Sequence, residues 1–276
     1  MLVVQHPSST VNSEAAAVSG EAAASGAPVR WTAAHGRPVD PAVLHRVLAR
    51  IKGRTAEARS PGLVLFDLDS TLLDNKPRQA RILREFGAAH GVAELTACTA
   101  AMFVDWSLRK PMQACGLSGE RIQALEPEAR RFWRERFFTS SYCEDDTANP
   151  GARDFVAQVL SGGVQVVYCT GRHTPMREGT LRCFAREGFP LPDSRQVHLL
   201  MKPSFDLHDD EWKVIARGHI QELGELLAAF DNEPIHINSY HEHFPAATCV
   251  HLLTDDSARG VHVLPGVVSV RDFILP

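Results

Sequence analysis

Three stretches of the chain, residues 63–66, 164–169 and 226–230, are almost wholly apolar at both alternating sets of positions, and each ends abruptly in a polar motif. A strand buried on both faces reads in this way, so the runs predict central strands of a parallel sheet. Between them the apolar spacing changes from two to about three and a half. Val43, Leu44, Val47, Leu48 and Ile51 recur at helical spacing after Asp40-Pro41, which suits a cap and a first helical position. Residues 152–160, 174–187 and 211–223 show the same period. Strand-then-helix alternation predicts an α/β fold with a doubly wound parallel sheet. Shorter apolar runs at 197–201, 248–253 and 261–264 are expected to add strands.

Residues 75–145 interrupt the alternation. Ile82, Leu83 and Phe86, and later Phe132, Trp133, Phe137 and Phe138, are spaced for helices, and no strand pattern stands between them. A helical insertion of this kind must bury its apolar face, and the nearest surface is the mouth of the sheet it has just left. Residues 1–38 are dominated by Ala, Ser, Gly and Thr, too few large side chains to offset ordering entropy, and are expected to form a disordered tail. The resulting division is 1–38 tail, 39–74 with 146–276 core, and 75–145 helical insertion.

Composition narrows the classes of function. With 29 Lys and Arg against 33 Asp and Glu in 276 residues, the net charge is −4, so no basic surplus favours nucleic acid or an anionic membrane surface. Uncharged apolar runs stop at about six residues, where a membrane span needs about twenty. The first residues show no basic segment before an apolar one, and six scattered cysteines form no CxxC pair. The expectation is a cytoplasmic protein with free thiols and neither a nucleic-acid nor a membrane partner.

The polar motifs carry the chemistry. Asp67-Leu68-Asp69-Ser70-Thr71 closes the first apolar run, at the carboxyl end of a strand, where open α/β sheets bind ligands. In an extended chain Asp67 and Asp69 point the same way. Paired carboxylates repel, so such a pair suggests a cation or a division between nucleophile and acid. Thr170-Gly171-Arg172 closes the second run, where a hydroxyl and a free amide can hold phosphate oxygens. Asp231-Asn232-Glu233-Pro234 closes the third. Taken singly, each also reads as an ordinary turn.

Taken in order, these motifs resemble the haloacid dehalogenase-like (HAD) superfamily of phosphohydrolases, over roughly residues 60–260. The resemblance implies a Rossmann-like core with a helical cap at 75–145. It also implies roles: Asp67 as nucleophile, Asp69 as general acid and base, Thr170 with Gly171 as phosphoryl holders, and a catalytic, phosphate-facing lysine. That lysine is Lys213, at the start of the helix before the third strand, in preference to Lys202, which precedes Pro203. Asp231 is implied to bind Mg²⁺ together with Asp67 and Asp69, the latter through its backbone carbonyl. The third motif departs from the family pattern of two acids adjacent or four apart, which leaves Asn232 and Glu233 as candidates only. A second metal site from His236, His241, His243, Asp255 and Asp256 is the weaker alternative to surface and turn histidines. An acid at Asp69 argues against dehalogenation, since halide departs without a proton. The implied function is Mg²⁺-dependent hydrolysis of a small phosphorylated metabolite through an aspartyl-phosphate; a phosphotransferase or mutase of this fold and a non-enzymatic binding module are the alternatives.

Overall fold

The computed structural model describes residues 27–36, 38–54 and 60–276. Eight strands are present among them: β1 Gly62–Phe66, β2 Leu73–Asp74, β3 Thr147–Ala148, β4 Gln165–His173, β5 Val197–Lys202, β6 Glu225–Asp231, β7 Thr248–Leu252 and β8 Val268–Val270. The helices are α1 Val29–Thr32, α2 Ala42–Lys52, α3 Lys76–His90, α4 Arg109–Ala114, α5 Gly119–Phe137, α6 Ala152–Ser161, α7 Arg177–Glu187, α8 Asp209–Leu223 and α9 Pro234–His243.

Six strands form one sheet in the order β5-β4-β1-β6-β7-β8, every neighbouring pair parallel. The chain steps outward from β1 to β4 and β5, then returns to the other side of β1 for β6, so the winding reverses at β1. A crevice opens at the carboxyl ends of strands at such a point. Alternate residues of β1 serve opposite cores, as a two-residue period requires. Val64 and Phe66 pack with Val43, Leu44 and Val47 of α2, Phe155 of α6 and Phe184 of α7. Leu63 and Leu65 pack with Trp212, Ala216 and Ile220 of α8 and Ile237 and Tyr240 of α9. The result is a three-layer, doubly wound α/β fold.

The insertion leaves and returns through a stem of two antiparallel residue pairs, Leu73 with Ala148 and Asp74 with Thr147. Beyond the stem, Leu83 and Phe86 of α3 enclose a separate apolar cluster with Leu95, Phe103, Met112, Ile122 and Ala129.

Two expectations are corrected. Residues 261–264 form no strand, although Val261 and Val263 are buried. The buried Asn238 side chain takes the place of a ladder neighbour, donating to the His262 carbonyl (2.8 Å) and accepting from the Leu264 amide (2.9 Å), and Pro265 ends the run. The strand instead follows at β8. Residues 1–26 and 37 of the expected tail lie outside the described residues, but residues 27–36 and 38 do not behave as a tail. Val39 bridges Ser269, and the Ser269 amide donates to the Pro38 carbonyl (2.9 Å), covering the exposed edge of β8. Upstream, Trp31 is only 6% exposed, its indole donates to Glu242, and its carbonyl accepts from the His262 amide. One large aromatic outweighs a run of small residues, because aromatic area dominates docking energy.

Trp31→Ala is therefore expected to lower unfolding stability by about 3 kcal/mol. Chemical denaturation measures this, and an unchanged midpoint would show that the segment contributes nothing to the fold.

Candidate active site

The first motif is a turn held at many points. Past the end of β1, the Asp67 amide still donates to the Phe230 carbonyl (2.9 Å), which keeps Asp67 beside β6. The chain then reverses, with Thr71 and Leu73 amides both donating to the Leu68 carbonyl and the Ser70 amide to that of Leu73. Ser70 adopts φ +58°, a conformation disfavoured for a residue with a Cβ, and its carbonyl is held by the Thr254 hydroxyl. Asn149 secures the Thr71 carbonyl from the far side (2.7 Å). The buried Thr71 hydroxyl donates to Asn232 Oδ1 (3.0 Å) and accepts from the Asn232 amide (3.1 Å), joining the first motif to the third. Asn232 also donates to the Asp255 carbonyl (2.6 Å), so it braces loops.

Asp67, Asp231 and Lys213 meet at the base of the crevice. The buried Lys213 ammonium donates to Asp67 Oδ1 (2.6 Å), Asp231 Oδ2 (3.1 Å) and the Cys169 carbonyl (2.8 Å), using all three of its protons. Its helix, α8, is pinned to β4 by the neighbouring Trp212 indole, which donates to the Thr170 carbonyl (2.8 Å). Burial pushes the Asp67 carboxyl up to about 7, opposed by Lys213 and reinforced by Asp231. Burial acts on Asp231 too, but Lys213 and then His236 outweigh it and hold that carboxyl below its ordinary value. Asp67 Oδ2 has no hydrogen-bond partner among the described residues. Lys202 is outside this cluster, paired with Asp209 (2.7 Å), whose carboxylate lies against Gly171.

Asp69 has different company. Arg172 grips it with a two-pronged fork, Nε to Oδ2 (2.9 Å) and Nη2 to Oδ1 (2.8 Å), and Arg78 Nη2 adds a third bond to Oδ1 (2.8 Å). Burial raises the Asp69 pKa, but Arg172 and then Arg78 outweigh it and hold the carboxyl well below the usual carboxylate range. Behind the arginines stands buried Asp146, accepting from Arg172 Nη2 (2.5 Å) and ion-paired to Arg78 Nε at 3.0 Å, off the line of a hydrogen bond. An acid role at Asp69 needs a carboxyl that gains a proton, and these partners favour the ionised form.

Thr170 and Gly171 sit where β4 loses register with β5. Thr170 pairs with Met201 and His173 with Lys202, so Gly171 and Arg172 are looped out of the ladder. That irregularity is what turns Arg172 toward Asp69. The Thr170 Oγ1 accepts from the Arg172 amide (3.1 Å), which leaves its own proton available to an oxyanion. A Cβ at Gly171 would stand 2.6 Å from Asp209 Oδ2, the end of a half-exposed side chain that would have to swing aside.

The remaining candidates do not assemble. His236 is placed beside Asp231 (3.7 Å) and donates to Asp210 (2.8 Å); burial lowers its pKa, but Asp231 and Asp210 lift it to about 9. Glu233 turns away to the Ser257 amide and hydroxyl. Among the described residues no three His, Cys, Asp or Glu side chains converge as a metal site, so the histidine-rich site is not formed there. Of the groups that sequence reasoning left without a role, Arg172 stood within a quoted motif, whereas Arg78 and Asp146 carried no local signal.

No family model and no curated protein matches the chain. Among solved structures it is similar to a candidate phosphatase from Clostridium difficile (13% identity, TM-score 0.47, covering 76% of this chain and 94% of that one). It is also similar to Protein Tyrosine Kinase A of Mycobacterium tuberculosis (18%, TM-score 0.48, 77% and 94%). A third is a haloacid dehalogenase-like family hydrolase from Streptococcus pneumoniae (15%, TM-score 0.45, 75% and 92%).

Because Lys213 donates to both Asp67 and Asp231, Lys213→Met should destabilise the protein by about 3–5 kcal/mol, leaving two buried carboxylates without their shared counter-charge. Lys202→Met, which breaks a pair with the half-exposed Asp209, should cost about 1 kcal/mol or less. Urea denaturation of the two variants compares them, and equal losses would contradict the assignment of Lys213 as the central counter-charge.

Proposed function

We propose that the chain is a phosphohydrolase that cleaves a small organic phosphomonoester through an aspartyl-phosphate on Asp67. The observation that carries this reading is the Asp67–Lys213–Asp231 cluster at the reversal point of the sheet, with one Asp67 oxygen left without a partner among the described residues. A carboxylate approaching a phosphate meets like charge, so the barrier is largely electrostatic. Lys213 supports the attack from Asp67 Oδ1, leaving Oδ2 to reach phosphorus. Thr170 supplies a hydroxyl proton to a phosphoryl oxygen. Attack forms an O–P bond at Asp67 and breaks the P–O bond to the leaving oxygen, and water then cleaves the acyl phosphate, dividing one displacement into two. Asp69 is assigned both proton transfers, to the leaving oxygen and from the water. Its arginine partners favour the second, in which it begins as the ionised acceptor.

The donor set suits Mg²⁺, which is commonly held by one or two carboxylates plus phosphate and water. Asp67, Asp231 and the backbone carbonyl of Asp69 would hold it, and burial of Asp67 beside a second carboxylate leaves a site that gains from a hard cation. When bound, the ion would neutralise charge and align the phosphate.

The insertion is proposed to act as a lid. Arg134 of α5 lies over the Phe205 ring of the loop between β5 and α8 (5.3 Å), and Phe138 meets the same ring edge-on at 5.1 Å. A seam closed in this way favours compact phosphates.

Two outcomes are expected. Asp67→Asn should abolish phosphate release from 4-nitrophenyl phosphate and from a panel of phosphorylated metabolites while retaining the wild-type melting curve; more than a few per cent of residual turnover would remove Asp67 from its role. EDTA should stop the wild-type reaction and added Mg²⁺ restore it, whereas hydrolysis indifferent to chelator would exclude the metal from this reading.

A further inference from the structure

Three groups from distant parts of the chain converge behind one carboxylate. Arg172 comes from the irregularity in β4, Arg78 from the first turn of α3, and Asp146 from the point where the insertion returns to the core. Each guanidinium is also fixed on its far side. Arg172 Nη1 donates to the Thr180 hydroxyl (3.1 Å), and Arg78 Nη1 donates to the Phe137 carbonyl (2.9 Å) with its guanidinium 3.9 Å over the Phe137 ring. Both arginines are buried and most of their N–H groups are spent on protein partners, so neither is placed to hold substrate directly.

The consequence falls on Asp69. A carboxylate offers about four acceptor directions. Three N–H bonds of 2.9 Å or less place two donors on Oδ1 and one on Oδ2, and a longer bond from Asn75 Nδ2 (3.5 Å) also falls on Oδ1, so the single open direction lies on Oδ2. A planar fork sets that direction more narrowly than a point charge, because two parallel bonds fix rotation as well as distance. Arg78 belongs to the first helix of the insertion and also holds the end of α5, so its reach to Asp69 depends on where the insertion sits.

We propose that Arg172, Arg78 and Asp146 are positioning residues that act on the reaction only through Asp69, aiming its one open acceptor direction. Arg78 makes that aim conditional on the docked insertion. The inference rests on the reading in which Asp69 transfers protons, and it adds residues that the motif pattern leaves out.

The test is a set of double-mutant comparisons with 4-nitrophenyl phosphate, whose good leaving group keeps slow variants measurable. Arg172→Lys keeps the charge and loses the fork, and Asp146→Asn keeps the shape and loses the anion that holds both arginines. Each should lower kcat by about 10²-fold with KM changed less than about threefold, the signature of misplacement without lost binding. In an Asp69→Asn background the same substitutions should lower kcat by less than about twofold, since the group they act through is gone. Equal losses in both backgrounds, or no loss in the wild type, would overturn the proposal. Melting curves accompany each variant, and Arg172→Lys carries the comparison by itself if Asp146→Asn does not fold. Wild-type turnover in Asp69→Asn alone would remove the underlying reading of Asp69, a result distinct from failure of the double-mutant comparison.

Discussion

Burying carboxylates at one end of a sheet is the constraint on which the rest of this structure depends. Asp67, Asp69, Asp146 and Asp231 stand close together, three of them almost out of reach of water. Removing such charges from water costs several kcal/mol each, and repulsion between them adds to it. The fold answers with cations from three separate elements: Lys213 from α8, Arg172 from β4 and Arg78 from α3. Each element has to arrive at the crevice for the carboxylates to remain ionised. Helix packing, the broken register of β4 and the docking of the insertion are therefore energetically tied to one site.

The two halves of that site are balanced differently. Around Asp69 two arginines face two carboxylates, which makes a closed and rigid set. Around Asp67 one ammonium bridges two carboxylates, His236 stands beside the second of them at 3.7 Å, and Asp67 Oδ2 has no hydrogen-bond partner among the described residues. In the proposed reading, chemistry belongs to the second half, where an Asp67 oxygen is still open, and orientation to the first. This division explains why Asp67 and Asp69, two residues apart and facing one crevice, have carboxyls displaced in opposite directions.

Much of this was legible in the sequence, for a local reason. Central parallel strands are apolar on both faces, so β1, β4 and β6 announced themselves, and the polar residues that end them fall at the mouth of the sheet by topology alone. Lys213 could be preferred to Lys202 because it opens the helix that leads into β6. What could not be read depends on long-range contact. Residues 261–264 carry a strand's pattern, yet the side chain of Asn238 supplies their hydrogen bonds. Residues 27–36 resemble a tail until Trp31 finds α9 through Glu242. Arg78 and Asp146 sit in unremarkable polar contexts, sixty-eight positions apart, and become partners only when the stem of the insertion closes.

The account stands on covalent attack by Asp67, and rapid acid quench during turnover of a ³²P-labelled phosphomonoester tests it most directly. It predicts label retained on the protein in the peptide that contains Asp67, released by hydroxylamine as an acyl phosphate must be, and absent from Asp67→Asn. Steady turnover with no label on that peptide, or label carried undiminished by Asp67→Asn, would contradict it.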